Sequence, residues 1–198
     1  MKTFRAFGPT LGKSKLSKKI IRVINNQVDK TTLSKTNDYS SKLTSQIKNE
    51  IKFTKFYIDK NLSKELVNNI KNYLKQSDIK NIKEIKIINL WVVRQFKNEY
   101  NPIHYHDGHV SGVGYLKVPK FITKNKKKTN TDGTIDFING SKMFLNDSIY
   151  NHKPKVGDVL LFPNYLMHTA YPFTAKGERR SFSFNLEIDK KIANVFTK

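Results

Sequence analysis

The chain has 198 residues, enough for one domain with its own core, and 37% of them are apolar. It contains no cysteine, which excludes disulfides, thiolate metal sites and cysteine nucleophiles, so any metal would have nitrogen and oxygen ligands. The formal net charge of +21 is compatible with binding to nucleic acid or to an acidic partner. The lysines are spread along the whole chain, however, which favours coding bias over a dedicated basic surface.

The sequence offers no membrane-spanning segment and no export signal. No apolar run approaches the roughly 18 residues that a transmembrane helix needs. Residues 1–19 lack the apolar core of a signal peptide. We therefore expect a cytoplasmic protein that does not bind a membrane.

Two helices are predicted near the N-terminus, after a loose or strand-like lead-in at residues 1–15. Residues 18–30 place their apolar side chains on one helical stripe, and Ser17 can cap the first turn. A second helix begins near residues 61–63, and the apolar stripe of this helix comprises Leu62, Leu66, Ile70, Tyr73 and Leu74. The apolar residues of segment 47–58 do not favour one kind of element.

From residue 82 onward the chain is rich in β-branched and aromatic residues, in short runs separated by turn signals such as Asp-Gly and Asn-Gly. The predicted strands lie near residues 84–96, 99–106, 111–118, 133–137, 156–163, 167–173 and 179–188. Residues 120–131, which include the lysine cluster at 124–128, are expected to form an exposed, mobile insertion.

This order of elements indicates a single, mainly β domain, residues 1–198, with supporting N-terminal helices. Residues 1–80 are expected to form a helical support region, and residues 81–190 an antiparallel catalytic core. A double-stranded β-helix, the jelly-roll of cupin-like proteins, is one closure that shields so many strand edges. The sequence is compatible with a monomer or a homodimer.

Three histidines are the candidate metal ligands and catalytic residues. His104 and His106 are two residues apart, so on a strand both imidazoles would point to one face. His168 begins another predicted strand, from which it could reach the same metal ion. Asp107 is an alternative to His106, because a carboxylate would complete a two-histidine, one-carboxylate face, although the strand spacing favours His106.

The last predicted strand carries a second candidate site. Arg179 and Ser181 share one face of this strand with Ser183 and Asn185, whereas the opposite face is mainly phenylalanine and leucine. If the polar face lines the barrel interior, the arginine fork and the adjacent hydroxyl suit a carboxylate ligand. If it faces solvent instead, Arg179 is one exposed base among many.

The remaining candidates carry less weight. His109 and His152 have no obvious partner in the sequence, so we expect them at the surface or at the mouth of the barrel. Trp91 is expected to belong to the core rather than to a stacking platform.

Several motifs together resemble the Fe(II)/2-oxoglutarate-dependent dioxygenases. They are NPIHYHDGHVSGVGYLKVP, DGTIDF, PKVGDVLLFPNYLMH and ERRSFSFN, which lie within residues 89–188. The resemblance is to a 2-oxoglutarate oxygenase family that is distantly similar to prolyl 4-hydroxylases. It implies a double-stranded β-helix with Fe(II) at its mouth, 2-oxoglutarate as co-substrate and O2 as oxidant.

The resemblance also implies a role for each matching residue. His104 corresponds to the first iron ligand and His168 to the last, while His106 stands where prolyl hydroxylases carry aspartate. Arg179 corresponds to the arginine that binds the far carboxylate of 2-oxoglutarate, with Ser181 and Tyr115 as additional contacts.

The function expected from the sequence is hydroxylation of a C–H bond in a protein or peptide side chain, coupled to decarboxylation of 2-oxoglutarate to succinate and CO2. A small-molecule substrate remains open. The alternatives are a cupin-like three-histidine metal enzyme without 2-oxoglutarate, and a non-enzymatic basic β domain that binds nucleic acid or an assembly partner.

Overall fold

The computed structural model describes residues 2–5, 8–53, 60–79, 81–120 and 130–193. The lysine cluster at 124–128, and with it most of the expected insertion, lies outside these residues. The helices in the described ranges are α1 (Lys18–Lys30), α2 (Lys60–Gln76) and α3 (Lys190–Ala193), with a short 3₁₀ turn at Ser40–Lys42. The strands there are β1 (Lys2–Arg5), β2 (Thr10–Lys15), β3 (Glu50–Lys52), β4 (Ile85–Gln95), β5 (Asn101–His104), β6 (Val110–Lys117), β7 (Ile135–Ile138), β8 (Ile149–His152), β9 (Asp158–Pro163), β10 (Met167–Ala170) and β11 (Arg179–Ile188).

The strands form two antiparallel sheets. The large sheet has the order β1-β2-β9-β6-β11-β4-β3, and the small sheet has the order β5-β10-β7-β8. All strand pairs in both sheets run antiparallel. The prediction of a mainly β, antiparallel fold with few helices is therefore confirmed.

Both predicted helices are present and pack on one face of the large sheet. α1 begins after Ser17, whose hydroxyl accepts a hydrogen bond from the backbone N–H of Ile20 at 3.4 Å, as expected for an N-cap. The predicted apolar stripe of α2 is buried along its whole length, and it joins α1 and the large sheet in one hydrophobic cluster. The stripe periodicity was thus sufficient to locate both helices.

Two glycines of β6 allow this helix-covered face to close. A Cβ atom on Gly112 would collide with the ring of Phe184, and one on Gly114 would collide with the ring of Phe182. Both rings belong to β11, the neighbouring strand, and are fully buried. The alternation of glycine with larger residues in β6 therefore makes room for two phenylalanine rings.

The other face of the large sheet packs against the small sheet. A second hydrophobic cluster joins β6 and β9 of the large sheet to β7 of the small sheet, through Val113, Leu160, Phe162, Ile135 and Phe137. A cavity lies beside this cluster, between the inner faces of the two sheets.

The short strands are where the structure departs most from the predictions. β8 was not predicted, because its four residues, IYNH, end in two adjacent polar residues and are flanked by turn-forming residues. β3 is a three-residue edge strand within the segment that favoured no element.

No helix in the described part of the chain is long and apolar enough to span a membrane.

Candidate active site: three histidines and a buried arginine

Three histidines meet at one end of the small sheet. His104 on β5 and His168 on β10 are directly opposite each other in the strand register, and His106 follows two residues after His104. The ring centroids are 4.2 Å apart for His104–His168, 5.0 Å for His104–His106 and 4.9 Å for His106–His168. One ring nitrogen from each residue lies within 4.8 Å of those of the other two, a spacing that could hold a single metal ion.

Backbone carbonyls orient two of the three rings. Nδ1 of His104 lies 2.7 Å from the carbonyl oxygen of Pro102, and Nδ1 of His168 lies 2.9 Å from that of Leu166. Because a carbonyl only accepts, each Nδ1 is assigned as the protonated nitrogen, which leaves the Nε2 lone pair free for a ligand. Nε2 of His168 faces Nε2 of His106 at 3.1 Å.

Burial keeps the three imidazoles neutral. Burial lowers the pKa of His104, and burial followed by the charge of His104 lowers the pKa of His106 to about 3. Burial also lowers the pKa of His168, which is 4% exposed, well below its usual range. Neutral imidazole is the form that coordinates metal ions, so the site is ready for a cation at physiological pH.

Asp107 lies outside the group of three histidines. Its side chain is exposed, and the chain turns immediately afterwards at Gly108, which has a φ of +84°. Asp107 nevertheless lines the same cavity, on the side of Tyr39. Burial, and then the charge of Asp107, raise the pKa of that tyrosine. The described donor set is therefore three imidazoles, with the carboxylate at the cavity mouth.

Arg179, at the start of β11, lines the same cavity and is 4% exposed. Its Nη1 donates to the carbonyl oxygen of Gly133 at 2.8 Å, and its Nε has no hydrogen-bond partner. Among the described residues no carboxylate forms an ion pair with it. A buried guanidinium without a counter-ion is costly, and it leaves donors free for an anionic ligand.

Ser181 and Tyr115 lie beside Arg179 on the cavity side. They are cross-strand neighbours on β11 and β6, and both are buried. Burial raises the pKa of Tyr115 to about 12, so its phenol stays protonated and can donate a hydrogen bond. The polar face of β11 therefore lines the cavity, and the alternative in which it faces solvent is wrong.

Other side chains of the cavity were not found from the sequence. Glu50 on β3 is 1% exposed and lines the cavity, as do Tyr39, Asn89 and Trp91. Glu50 lies in a segment without a clear period, and only the pairing of β3 with β4 brings it to the site. Trp91 is 3% exposed, as expected for a core residue, and its ring centroid lies 5.5 Å from that of His106.

Two histidines were expected at the surface or the mouth, and this expectation is wrong for His152. His152 is buried, and its Nε2 lies 3.1 Å from Oδ2 of Asp158, on β9 of the large sheet. His109 is partly buried, and its Nδ1 accepts a hydrogen bond from the backbone N–H of Ile188 at 3.0 Å. Both contacts join residues distant in sequence or separated by a turn, so neither partner was visible in the sequence.

The family described as "Putative 2OG-Fe(II) oxygenase" matches residues 89–185 of the chain. This stretch begins on β4, ends on β11, and includes the three histidines and Arg179. These 97 of the 198 residues are therefore similar to the 2OG-Fe(II) oxygenase family. The predicted class of enzyme is thereby confirmed: an oxygenase with Fe(II) as cofactor and 2-oxoglutarate as co-substrate.

Solved structures of 2-oxoglutarate oxygenases share the fold of this chain. The viral collagen prolyl hydroxylase of Paramecium Bursaria Chlorella virus-1, in complex with 2OG, is 18% identical, with a TM-score of 0.58, and the match covers 89% of this chain and 94% of that one. A prolyl hydroxylase from Trichoplax adhaerens, in complex with a peptide fragment of hypoxia inducible factor, is 11% identical, with a TM-score of 0.58 and coverage of 95% and 87%.

A third similar structure is HygX from Streptomyces hygroscopicus with nickel, 2-oxoglutarate and hygromycin B bound. It is 13% identical, with a TM-score of 0.55, and the match covers 92% of this chain and 83% of HygX. No curated protein matches the chain. At these identities the structural similarities show a shared fold rather than a shared substrate.

Proposed function

We propose that this oxygenase hydroxylates a C–H bond of a protein or peptide side chain and converts 2-oxoglutarate to succinate and CO2. The observation that carries the proposal is Arg179, a buried guanidinium without a counter-ion that lines the same cavity as the three neutral histidines. One group suits a dicarboxylate and the other suits a metal ion, and an oxygenase of this family needs both.

His104, His106 and His168 would hold Fe(II) through their free ring nitrogens. The donor set fits this cation, since imidazole is a suitable ligand for iron and the rings are neutral. When bound, the iron would supply the dioxygen chemistry that oxidises the C–H bond. The hydrogen bonds from His104 and His168 to backbone carbonyls hold the rings in the binding tautomer.

Arg179, Ser181 and Tyr115 would bind the carboxylate of 2-oxoglutarate that is remote from the metal. The guanidinium supplies two parallel donors, and the neighbouring hydroxyls can each add one more. Binding the carboxylate would offset the cost of burying an unpaired cation, because the pair would form away from water. These side chains would also orient the co-substrate towards the histidines.

The catalytic core would be a double-stranded β-helix over residues 81–190, with residues 1–80 as its support. From β4 to β11 the strands go in turn to the large, small, large, small, small, large, small and large sheet. This exchange between sheets supports the jelly-roll closure and explains how His104 and Arg179, on different sheets, come to line one cavity.

The substrate is proposed to be a polypeptide because two of the similar structures are prolyl hydroxylases, one of them with a peptide bound. The structure of HygX with hygromycin B keeps a small molecule as the alternative. Neither similarity fixes the residue or group that is oxidised, because substrate contacts commonly lie on loops that differ between relatives.

One observation favours a second candidate, a cupin-like enzyme that uses three histidines and no 2-oxoglutarate. The clustered ligands include no carboxylate, so the protein itself would not neutralise any of the charge on the metal. Arg179 distinguishes the two candidates, since the cupin-like enzyme has no use for a buried guanidinium. The nucleic-acid hypothesis is supported only by the net charge.

Anaerobic addition of Fe(II) and then 2-oxoglutarate tests the proposal. We expect a visible absorption band that saturates with 2-oxoglutarate in the wild-type protein and in Arg180→Lys, a control at the adjacent position. The band should be lost in Arg179→Ala while metal binding persists. A wild-type protein that binds iron but never 2-oxoglutarate would instead favour the cupin-like candidate.

A further inference from the structure

The cavity is lined by a second buried ionisable residue, Glu50, whose strand lies two strands away from that of Arg179. Glu50 on the edge strand β3 is directly opposite Val93 on β4, which is opposite Ser181 on β11, which is opposite Tyr115 on β6. These four residues form one row across the large sheet. Since neighbouring strands lie about 4.8 Å apart, the backbones of Glu50 and Ser181 are roughly 10 Å apart.

The carboxyl group of Glu50 is buried without a cation. Its side chain is 1% exposed, and the hydroxyl of Ser45 donates a hydrogen bond to its Oε2 at 2.6 Å. Within the described ranges no lysine, arginine or histidine forms an ion pair with it. Burial raises the pKa of Glu50 to about 7, which reflects the cost of a buried carboxylate with so little compensation.

Acidic residues are concentrated around this end of the cavity. The charges of Asp38 and Glu99 add to the rise in the pKa of Glu50, and Asp107 lines the cavity mouth. The chain has 37 lysines and arginines but only 16 aspartates and glutamates, so a group of four acids is a marked local departure. One exposed lysine, Lys42, also lines this end. The local field therefore favours a cation where the overall charge would not.

We propose that Glu50 binds a cationic nitrogen, a primary ammonium or a guanidinium, of the substrate that is oxidised. This inference rests on the proposed function and adds the chemical class of the substrate. The cavity then separates two opposite charges: Arg179 takes the dicarboxylate, Glu50 takes the cation, and the three histidines line the space that both share. A lysine or arginine side chain of a polypeptide and an amine of a small molecule both carry this chemistry.

Glu50 has another conceivable role, which the experiment must separate from substrate binding. Through Ser45 its carboxylate could simply anchor the segment that covers the cavity, since the backbone N–H of Tyr39 also bonds the carbonyl of Glu50 at 2.8 Å. Glu50→Gln keeps the size and an acceptor for Ser45 but removes the charge. Ser45→Ala removes the anchoring hydrogen bond but keeps the carboxylate.

The test is an affinity selection with immobilised protein loaded anaerobically with Fe(II) and 2-oxoglutarate. One arm offers a library of acetylated pentapeptides whose central residue is lysine, arginine, proline or norleucine. The second arm offers amino sugars with their N-acetylated, neutral forms. Retained molecules are counted by mass spectrometry, and the absorption band of bound 2-oxoglutarate is recorded for each protein sample.

We expect cationic molecules to be enriched about tenfold or more over neutral counterparts, the range for a charge-assisted hydrogen bond. The enrichment should persist in Ser45→Ala and fall to about one in Glu50→Gln. The arm in which the enrichment occurs shows whether the substrate is a peptide or a small molecule. Equal retention of cationic and neutral molecules, or enrichment that survives Glu50→Gln or is lost in both variants, would overturn the inference. Loss of the absorption band in the wild-type protein would refute the proposed function instead.

Discussion

Two adjacent arginines on β11 show how differently the two faces of the large sheet are built. Arg180 points towards the helices and is fully buried, yet Glu178, Asp29 and Asn25 accept hydrogen bonds from all three of its nitrogens. Arg179 points into the cavity, is nearly as buried, and has one carbonyl partner. The protein therefore satisfies the hydrogen-bond donors of Arg180 on the helix side. It leaves most donors of Arg179 available for a ligand on the cavity side.

The hydrophobic residues follow the same division. On the helix side of β11 the rings of Phe182 and Phe184 fill the space that the glycines of β6 leave open. On the cavity side the corresponding positions are serines and an asparagine. The helix-covered face is therefore expected to carry most of the stability, and the cavity face the ligand binding. Mutations on either face test this division between stability and ligand binding.

The largest effect on stability is expected from Arg180→Ala. Removing the guanidinium leaves Glu178 without one of its two arginine partners and leaves Lys117 of β6 as the remaining cationic partner of Asp29 on α1. Hydrogen bonds to charged groups contribute about 1.5–3 kcal/mol each, and Arg180 makes three of them to carboxylates. Urea unfolding should show this loss, whereas the affinity of the folded variant for 2-oxoglutarate should be unchanged. An unaltered unfolding midpoint would contradict the structural role of Arg180.

Arg179→Ala should have the reverse effect of Arg180→Ala: it should weaken 2-oxoglutarate binding without lowering stability. The affinity for 2-oxoglutarate, measured by anaerobic titration, should fall about 100-fold or more, because a buried carboxylate would lose its charged partner. The free energy of unfolding should stay the same or rise, since an unpaired buried cation is removed. Arg179→Lys should give an intermediate affinity, because it keeps the charge but not the fork. A strongly destabilised Arg179→Ala protein would show that the division between the faces is wrong.

Substitutions at two adjacent residues test whether His106 or Asp107 is the second metal ligand. His106→Ala should weaken Fe(II) binding by about 10–100-fold or more, because the site loses one of three clustered imidazoles. Asp107→Asn should leave the affinity nearly unchanged, because that carboxylate is exposed and outside the cluster. Calorimetric titration with Fe(II) under anaerobic conditions would measure both. The opposite order of effects would make Asp107 the ligand.

A smaller loss of stability is expected from Gly114→Ala on β6. The added methyl group would collide with the ring of Phe182 on the helix-covered face, and overpacking of this kind costs about 1–3 kcal/mol. Gly8→Ala is the matched control: nothing lies within 4 Å of a Cβ atom there, so it should change stability by less than about 0.5 kcal/mol. Thermal unfolding of both variants would show whether the glycine is needed.

A further expected effect is the pH dependence that Glu50 contributes to stability. Burial raises its pKa from 4.5 to about 7, so the folded state holds a proton that the unfolded state has lost between these values. Stability from this group is present below about pH 4.5 and is lost as the pH rises through about 7. Glu50→Gln should therefore gain stability relative to wild type at pH 8 compared with pH 5. A constant difference at both pH values would argue against a buried, uncompensated carboxyl group.

The sequence predicted those features that depend on the residue pattern within a single helix or strand. The apolar stripes located α1 and α2, and alternation on β11 separated Arg179 from Arg180. The i, i+2 spacing of His104 and His106 likewise indicated one shared face, and family motifs identified the class of enzyme.

The sequence could not reveal contacts that arise only when separate elements meet. Glu50 reaches the cavity through a three-residue edge strand, too short to show a period. His152 finds its carboxylate partner on the strand beyond a turn, and β8, which carries it, is too short and polar to be recognised. For the same reason the residues proposed to contact the substrate were not foreseen, whereas those matching a family motif were.

A crystal structure of the protein grown anaerobically with Fe(II) and 2-oxoglutarate would test the central claim most directly. We predict one anomalous scattering peak about 2.0–2.2 Å from a ring nitrogen of each of His104, His106 and His168. We also predict a dicarboxylate whose far end pairs with Arg179. A metal bound elsewhere, or an arginine that stays unpaired while 2-oxoglutarate binds at another place, would contradict the account.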